Sequence, residues 1–496
     1  MTSTDQPTRT GGDRCPGALR LHPAADGGLA RMRVPGGLLT AAQVDVLADA
    51  AERLGAGTMS LTARGNVEIR GLSEAAGAEL GALLQGAGVL PSPTHERVRN
   101  IVVSPTAGLD DPVAPAGSSA SSKTRGSRAT GESTGAAKPS EHGASADLTA
   151  VVRALDGLLI HTPRTADLSG RFLFGLDDGR GDVLALDPDL AARWIGHTGV
   201  EIVIGGRAVL VADASDVPQA LVTAACAFLD ALDATGETGW RLAELDDDEP
   251  VVRAIVEALV DAELARVPDA GFAPAPHHDG APVPPGRVGA TTVHLVLPLG
   301  EAPAATWRAL AGVARHGDGL LRTTPWRSVL LAGLECTERD ALLARAEELG
   351  LVADPGDPTV GATACTGLPG CASSRADVRD DLRTALAASA TGTSMGEGTG
   401  AHPGDANTAA GPVGDSGLDS LRAGDPVDGP AAPGRDDRLP LHVSGCERRC
   451  GHPRREHLEA VATGDGYAVG RTDGSPAAGA PPSPERGTVA ELLAAR

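Results

Sequence analysis

The sequence predicts an α+β protein organised around an internal duplication. Three observations carry that expectation. Residues 33–72 match residues 295–334 without a gap, each copy reads as strand, helix, strand, and a mixed region of short strands and apolar helices follows each copy. Gly55, Gly57, Thr62, Val67, Gly71 and Leu72 align with Gly317, Gly319, Thr324, Val329, Gly333 and Leu334, and two copies of one unit imply a pseudo-twofold protein.

In the first copy Thr40 with Gln43 makes a capping box, Val44, Leu47, Ala48, Ala51 and Leu54 form an apolar stripe, and Gly55 ends the helix. The next stretch alternates. Leu61, Ala63, Val67 and Ile69 are expected on one face of a strand, with Thr62, Arg64, Asn66, Glu68 and Arg70 on the other. The mixed region then offers strands in RFLFGL, DVLAL, VEIVIGG and RAVLVAD, and helices near residues 148–159 and 217–232. Residues 107–147 and 388–437 are Gly, Ala, Ser, Thr, Pro and Asp with almost no large apolar side chain, a composition that predicts disordered insertions. The expected domains are therefore 14–92 (first repeat), 93–248 (first mixed domain), 249–340 (second repeat) and 341–496 (second mixed domain).

Burial capacity is ample in a chain of 496 residues. The N-terminal MTSTDQPTRT is polar and no apolar run suggests a span of roughly 18 residues, so a soluble, cytoplasmic protein with no membrane partner is expected. A formal charge of -22 argues against nucleic acid, whose affinity comes from cations neutralising phosphates. Lysine occurs only at Lys123 and Lys138, so any local cationic site must be built from arginine.

Seven cysteines are too few for a disulfide scaffold in so long a chain. Four fall in two pairs, Cys365-x5-Cys371 and Cys446-x3-Cys450, separated by 74 residues. Four thiolates complete a 4Fe-4S cube. Structural zinc more often uses closer knuckles in small modules and fits this spacing less well, and unligated thiols are the remaining alternative. Gly367, Gly370, Gly445 and Gly451 leave room for backbone amides near sulfur, and on a helix Cys446 and Cys450 would face the same way. Cys226, on an apolar helix, reads as a core residue, while Cys336 and Cys15 have no evident partner.

The cysteine pairs, the duplicated unit and the segments RMRVPGG, LTARGN and RNIVVSP resemble the siroheme sulfite and nitrite reductase superfamily. Within it RCPGALR, ACTGLPGCASS, HVSGC and RTTPWR look most like the precorrin-3B synthase branch. The resemblance implies that each repeat is a ferredoxin-like half domain, joined to sulfite/nitrite-reductase-like α+β domains, with a tetrapyrrole bound between the repeats. It also implies that Arg33, Arg99 and Arg171 occupy anion-binding positions and Arg64 a carboxylate-binding one. Arg322 and Arg327 add charge where a polycarboxylate substrate would lie. Where the reductases carry an RKFK-like segment with two lysines, this chain reads Gly170, Arg171, Phe172, Leu173, so one charge is lost outright. For that branch the implied reaction is O2-dependent hydroxylation of precorrin-3A at carbon 20 with γ-lactone formation. Electrons would come through the cluster from an NADH- or ferredoxin-linked donor, and the implied oxygen-activating centre is a non-haem iron whose ligands the sequence does not identify. A siroheme-dependent sulfite or nitrite reductase, and a non-enzymatic cluster-bearing tetrapyrrole carrier, are the alternatives.

Overall fold

Thr40 caps the first long helix as its sequence requires: its hydroxyl accepts the Gln43 N–H at 3.2 Å, and the Gln43 side chain accepts the Thr40 N–H at 2.9 Å. Such a cap contributes about 1 kcal/mol. The computed structural model describes residues 15–109, 147–195, 199–206, 208–268, 282–390, 438–453, 456–472 and 485–496. The polar N-terminus and most of the two insertions expected from composition lie outside these residues. The chain divides into two compact units, one up to Asp354 and one from Pro355.

In the first unit the first repeat contributes β1 (His22–Ala24), β2 (Gly27–Met32), β3 (Leu38–Thr40), α1 (Ala41–Leu54), β4 (Thr58–Leu61), β5 (Val67–Leu72) and α2 (Ala76–Gly86). The intervening region supplies β6 (Ile101–Val103), α3 (Thr149–His161), β7 (Phe174–Asp177), β8 (Leu190–Ile195), β9 (Gly199–Ile204), β10 (Ala208–Ala212), α4 (Val217–Thr235) and α5 (Glu249–Asp261). The second repeat supplies β11 (Gly286–Val288), β12 (Thr292–Val296), β13 (Glu301–Pro303), α6 (Ala304–Ala314), β14 (Leu320–Thr323), β15 (Ser328–Leu331) and α7 (Cys336–Ala344).

The repeats exchange edge strands. One sheet runs β1-β2-β5-β4-β13 and the other β11-β12-β15-β14-β3, so each repeat's short third strand completes the sheet of the other. Val44, Leu47, Met59 and Ile69 of the first repeat share one core with Trp307, Leu310, Leu321 and Val329 of the second. Each fully buried Leu or Val there contributes about 1.5–3 kcal/mol, and Leu47→Ala would cost about 2–5 kcal/mol. The crossing is close: a Cβ on Gly37 would lie 1.9 Å from the Thr323 carbonyl oxygen, so only glycine fits.

Two expectations about the repeats change. The turn Pro35–Gly37 corresponds to Pro298–Gly300, whereas Gly57 corresponds to Gly319, so the second copy has one residue fewer between them and the match is not gap-free. The single strand expected over residues 61–70 is a hairpin. Thr62 N–H bonds to Asn66 O and Gly65 N–H to Thr62 O, closing a turn between β4 and β5 that leaves Ala63 exposed. The period-2 pattern runs through the turn by coincidence, whereas Gly65 and Asn66 are turn formers. Beyond the turn, Glu68 pairs with Arg31 at 2.7 Å and Arg70 with Asp26 at 2.9 Å, so the continuous cationic face is not formed.

The intervening region forms the sheet β10-β9-β8-β7-β6 covered by α3, α4 and α5, with Phe172, Phe174 and Phe228 at its core. DVLAL, expected as a strand, is instead a 3-10 turn at Leu184–Leu186. Asp177 Oδ1 takes the N–H groups of Gly179 and Gly181 and Oδ2 those of Val183 and Leu184, which bends the chain away from the sheet. Among the described residues α4 is long and apolar enough to cross a membrane, and more than half of that apolar window is buried within the protein.

The second unit holds β16 (Ala362–Ala364), α8 (Val378–Ala390), β17 (Leu441–Ser444), β18 (His457–Ala462), β19 (Tyr467–Thr472), β20 (Glu485–Gly487) and α9 (Val489–Ala495), with the strands in that order in one sheet. α8 continues to Ala390, past residue 388 where the second insertion was expected to begin. β16, β17 and β18 are parallel, so their C-terminal ends lie at one edge. Cys365 follows β16 and Cys446 follows β17 with one glycine between.

Candidate functional site

In the first unit three side chains converge on one backbone oxygen. Gly170 O accepts from Asn100 Nδ2 at 2.7 Å, Arg64 Nη1 at 3.3 Å and Arg33 Nη2 at 3.4 Å. Asn100 is itself held by Asn66, whose amide donates to Asn100 Oδ1 at 3.1 Å while its oxygen accepts the Val34 N–H. This amide pair ties the RMRVPGG strand, the LTARGN turn and the loop carrying Gly170 and Arg171 into one polar knot.

The predicted arginines occupy different settings within and around it. Arg33 is 3% exposed, donates Nε to Arg97 O at 2.9 Å, and has a buried Nη1 with no hydrogen-bond partner. Burial, reinforced by the charges of Arg31 and Arg64, pushes its guanidinium down to about 9. Arg64 donates Nη2 to Arg171 O at 2.8 Å, and burial first, then Arg241, lowers it to about 10. Arg171 pairs with Glu244 at 2.8 Å and stacks over Trp240 with 5.5 Å to the ring centroid. Arg99 is committed internally: it forms a bidentate pair with Asp156 at 2.6 and 2.7 Å and donates Nη1 to Val89 O. Arg322 is buried on β14 with Nη2 on Asp318 at 2.6 Å and Nη1 unpartnered. Arg327 stands in the turn after β14 at φ 58°, the place Gly65 takes in the first repeat, and its stem crosses Gly300.

Arg33, Arg99, Arg153 and Asp156 line one cleft of about 190 Å³, floored by Leu38, Val89 and Val152. Ligand pockets usually measure roughly 300–1,000 Å³, so this cleft by itself is smaller than most. Arg322 lines a separate small pocket with Gly36, Ser104 and Thr149. Leu173, where the reductases would carry a second cation, points into a core cluster with Val102 and Val183.

The carboxylates of Asp177, Asp178 and Asp182 gather within 4.8 Å of one another. Asp177 is consumed by backbone amides, Arg180 pairs with Asp178, and Ser104 Oγ donates to Asp182 at 2.6 Å. Burial first, then the Asp177 charge, pushes Asp182 up to about 7. The group reads as a staple for the loop after β7.

The second unit carries all four paired cysteines. Gly445 N–H donates to Cys365 Sγ at 3.1 Å, and a side chain on Gly445 would collide with Ser374 Oγ at 1.8 Å. Burial pushes the Cys450 thiol up, and Cys365, Cys446 and Cys371 push it further in that order, which places the four sulfurs in one electrostatic neighbourhood. A mononuclear tetrahedral zinc site with Zn–S near 2.3 Å needs sulfurs about 3.8 Å apart. Among the described residues the only group of three or more potential ligand atoms gathered that closely is the Asp177, Asp178 and Asp182 set. The Cys446–Cys450 segment is a succession of turns, with Arg449 at φ 47°, and not the helical turn expected from its spacing. Cys226 lies on α4 against the core and Cys336 is exposed at the start of α7.

The sheet beneath these cysteines has one polar face. Thr363 on β16, His442 on β17 and Glu459 on β18 are register neighbours, and His442 Nδ1 meets Thr363 Oγ1 at 2.8 Å. Arg449 reaches down to Glu459 at 3.2 Å, and the His452 ring lies 5.9 Å from that of His457, so the Cys446–Cys450 turns cover this face. Ser444 shares the His442 side of β17, is fully buried, and its hydroxyl has no hydrogen-bond partner. A thiolate-held group fits this donor set: four soft ligands, an amide already aimed at sulfur and an unused buried hydroxyl beneath them.

Two segments, residues 22–87 and 285–349, match the nitrite/sulfite reductase ferredoxin-like half domain, and the chain is thus built on a duplication of that unit. The fold is shared with the NirA protein of Mycobacterium tuberculosis, at a TM-score of 0.57 and 17% identity over 89% of this chain and 74% of that one. Along its length the chain is similar to a precorrin-3B synthase from a Sinorhizobium species, 24% identical over 471 residues that cover 94% of this chain and 84% of the relative. A ferredoxin–nitrite reductase from Leptolyngbya laminosa is 38% identical over 82 residues, 16% of each chain.

Proposed function

We propose that this chain is a precorrin-3B synthase, an oxidoreductase that hydroxylates precorrin-3A at carbon 20 and closes a γ-lactone from an acetate arm. The observation that carries the reading is extent: similarity to a precorrin-3B synthase spans 94% of the chain, whereas that to a nitrite reductase is confined to 82 residues. The first unit agrees with it. A site reducing a small anion needs several cations around that anion, yet here Leu173 is buried in apolar surroundings and Arg99 is neutralised by Asp156.

The residues divide the work. Cys365, Cys371, Cys446 and Cys450 would hold a 4Fe-4S cluster, which supplies single electrons when bound. Arg33, with its unpartnered Nη1, takes a substrate carboxylate, and the narrow cleft beside it selects an arm over a ring. Asn66 and Asn100 fix the Gly170 loop and thereby orient Arg33 and Arg64, Arg327 supplies further charge to the arms, and Arg171 and Arg322 would do so on leaving Glu244 and Asp318. O2 donates one oxygen atom to the product, and the other leaves as water with two electrons and two protons from an NADH- or ferredoxin-linked donor. A non-haem iron would be the oxygen-activating centre, and the enzyme works in the cytoplasm.

The test uses the full chain expressed beside a working siroheme pathway and purified without air. The expected protein contains cluster iron and sulfide but no siroheme, and its product carries one atom of isotopically labelled O2. Stoichiometric siroheme with reduction of sulfite or nitrite would overturn the synthase in favour of the reductase. Binding of precorrin-3A without turnover, under O2 and a reductant, would instead leave a carrier.

A further inference from the structure

We infer that the Ser444 hydroxyl is a hydrogen-bond donor to the sulfur of the group held by the four cysteines and sets its reduction potential. The inference rests on the cluster reading of Cys365, Cys371, Cys446 and Cys450 and adds a positioning residue to it.

Four features of the second unit converge on Ser444. Its hydroxyl is wholly buried and makes no hydrogen bond, an arrangement that costs about 1–3 kcal/mol unless a partner arrives. The strand register puts it on the polar face with His442 and Glu459, opposite Leu441 and Val443. Arg449, inside the Cys446–Cys450 turns, reaches Glu459 on that same polar face, so the turns lie over the side on which the hydroxyl sits. The next amide in the chain, Gly445 N–H, already donates to Cys365 Sγ at 3.1 Å. A hydroxyl has one proton to give, and the acceptors that a thiolate-bound cluster brings to this place are sulfurs.

The direction of the effect follows from charge. A cluster gains negative charge on reduction, so a donor to its sulfurs stabilises the reduced form more than the oxidised one and raises the potential. A hydrogen bond to a charged group is worth at least about tenfold in an equilibrium constant.

The experiment uses the full chain, reconstituted anaerobically with iron and sulfide, and compares Ser444→Ala, Ser444→Thr and Ser444→Val by redox titration. Ser444→Thr, which keeps the hydroxyl, should titrate with the natural protein. Ser444→Ala and Ser444→Val should need about tenfold more reducing conditions, a fall of about 59 mV for a one-electron couple. Threonine and valine have the same shape, so a difference between those two variants reports the hydroxyl and not packing. Equal potentials for all four proteins at equal iron and sulfide would overturn the inference while leaving the ligands intact. A natural protein that binds no iron and sulfide would instead remove the cluster reading on which it stands.

Discussion

Replacing Arg33 by methionine should change stability and ligand binding in opposite directions. The guanidinium is 3% exposed, and its fall to about 9 corresponds to a burial penalty of at most about 5 kcal/mol. Methionine keeps most of the stem and removes the charge. The two carbonyls that Arg33 serves stay satisfied, because Asn100 Nδ2 also donates to Arg97 O at 3.3 Å and to Gly170 O at 2.7 Å, and Arg64 adds a second bond to Gly170 O. The loss is then about 1 kcal/mol per hydrogen bond, and a net gain of about 1–3 kcal/mol is expected, measured as a higher midpoint in chemical denaturation. Binding should move the other way. A substrate carboxylate left facing the empty place loses about 2–5 kcal/mol, which is about 30-fold or more in Kd by titration of the tetrapyrrole absorption. Arg33→Lys, retaining charge without the planar fork, should fall between the two. Binding within about threefold of the natural protein in Arg33→Met would refute the clamp, and a loss of stability with no change in affinity would make Arg33 a purely structural residue.

Serine at Cys365, Cys371, Cys446 or Cys450 should abolish or severely reduce bound iron and sulfide, because a hard hydroxyl replaces a soft thiolate, whereas Cys226→Ser should leave both unchanged; equal metal content in all five variants would sink the ligand assignment. Asp182→Asn should stabilise the protein at pH 8 and do little at pH 4. The folded carboxyl holds its proton up to about 7 while the unfolded one releases it near 4, so Asp182 costs stability above pH 7 and that cost fades as pH falls towards 4. Asparagine retains the acceptor for Ser104 Oγ and the Val183 N–H, so the difference in thermal midpoint between the two pH values isolates the charge.

Much of this was written locally in the chain. Thr40 and Gln43 specify their capping box by position alone, and the two cysteine pairs declare themselves by residue type and spacing. The misreadings have physical causes. A period-2 pattern continued through the Thr62–Asn66 turn, and DVLAL carries strand-forming residues that the buried Asp177 bends into a turn. What no local pattern could reveal were pairings between distant segments: Arg99 with Asp156, Asn66 with Asn100, and Thr363 beside His442 across 79 residues of chain. The family resemblance nominated six arginines, and geometry commits Arg99 to a carboxylate of its own while leaving Arg33 with a donor to spare.

The exchanged edge strands carry a consequence for how the two halves can differ. A half domain whose third strand completes its neighbour's sheet is a dimer written as one polypeptide, and symmetry between the partners is no longer enforced by identity of sequence. Where the first half sets Arg31 opposite Glu68, the corresponding pair in the second is His294 opposite Leu330, with the histidine buried and hydrogen-bonded to Ser328 Oγ at 2.6 Å. Covalent linkage thus lets one half keep a half-buried ion pair while the other turns the same place into core, giving an asymmetric pair of faces that no two identical subunits could present.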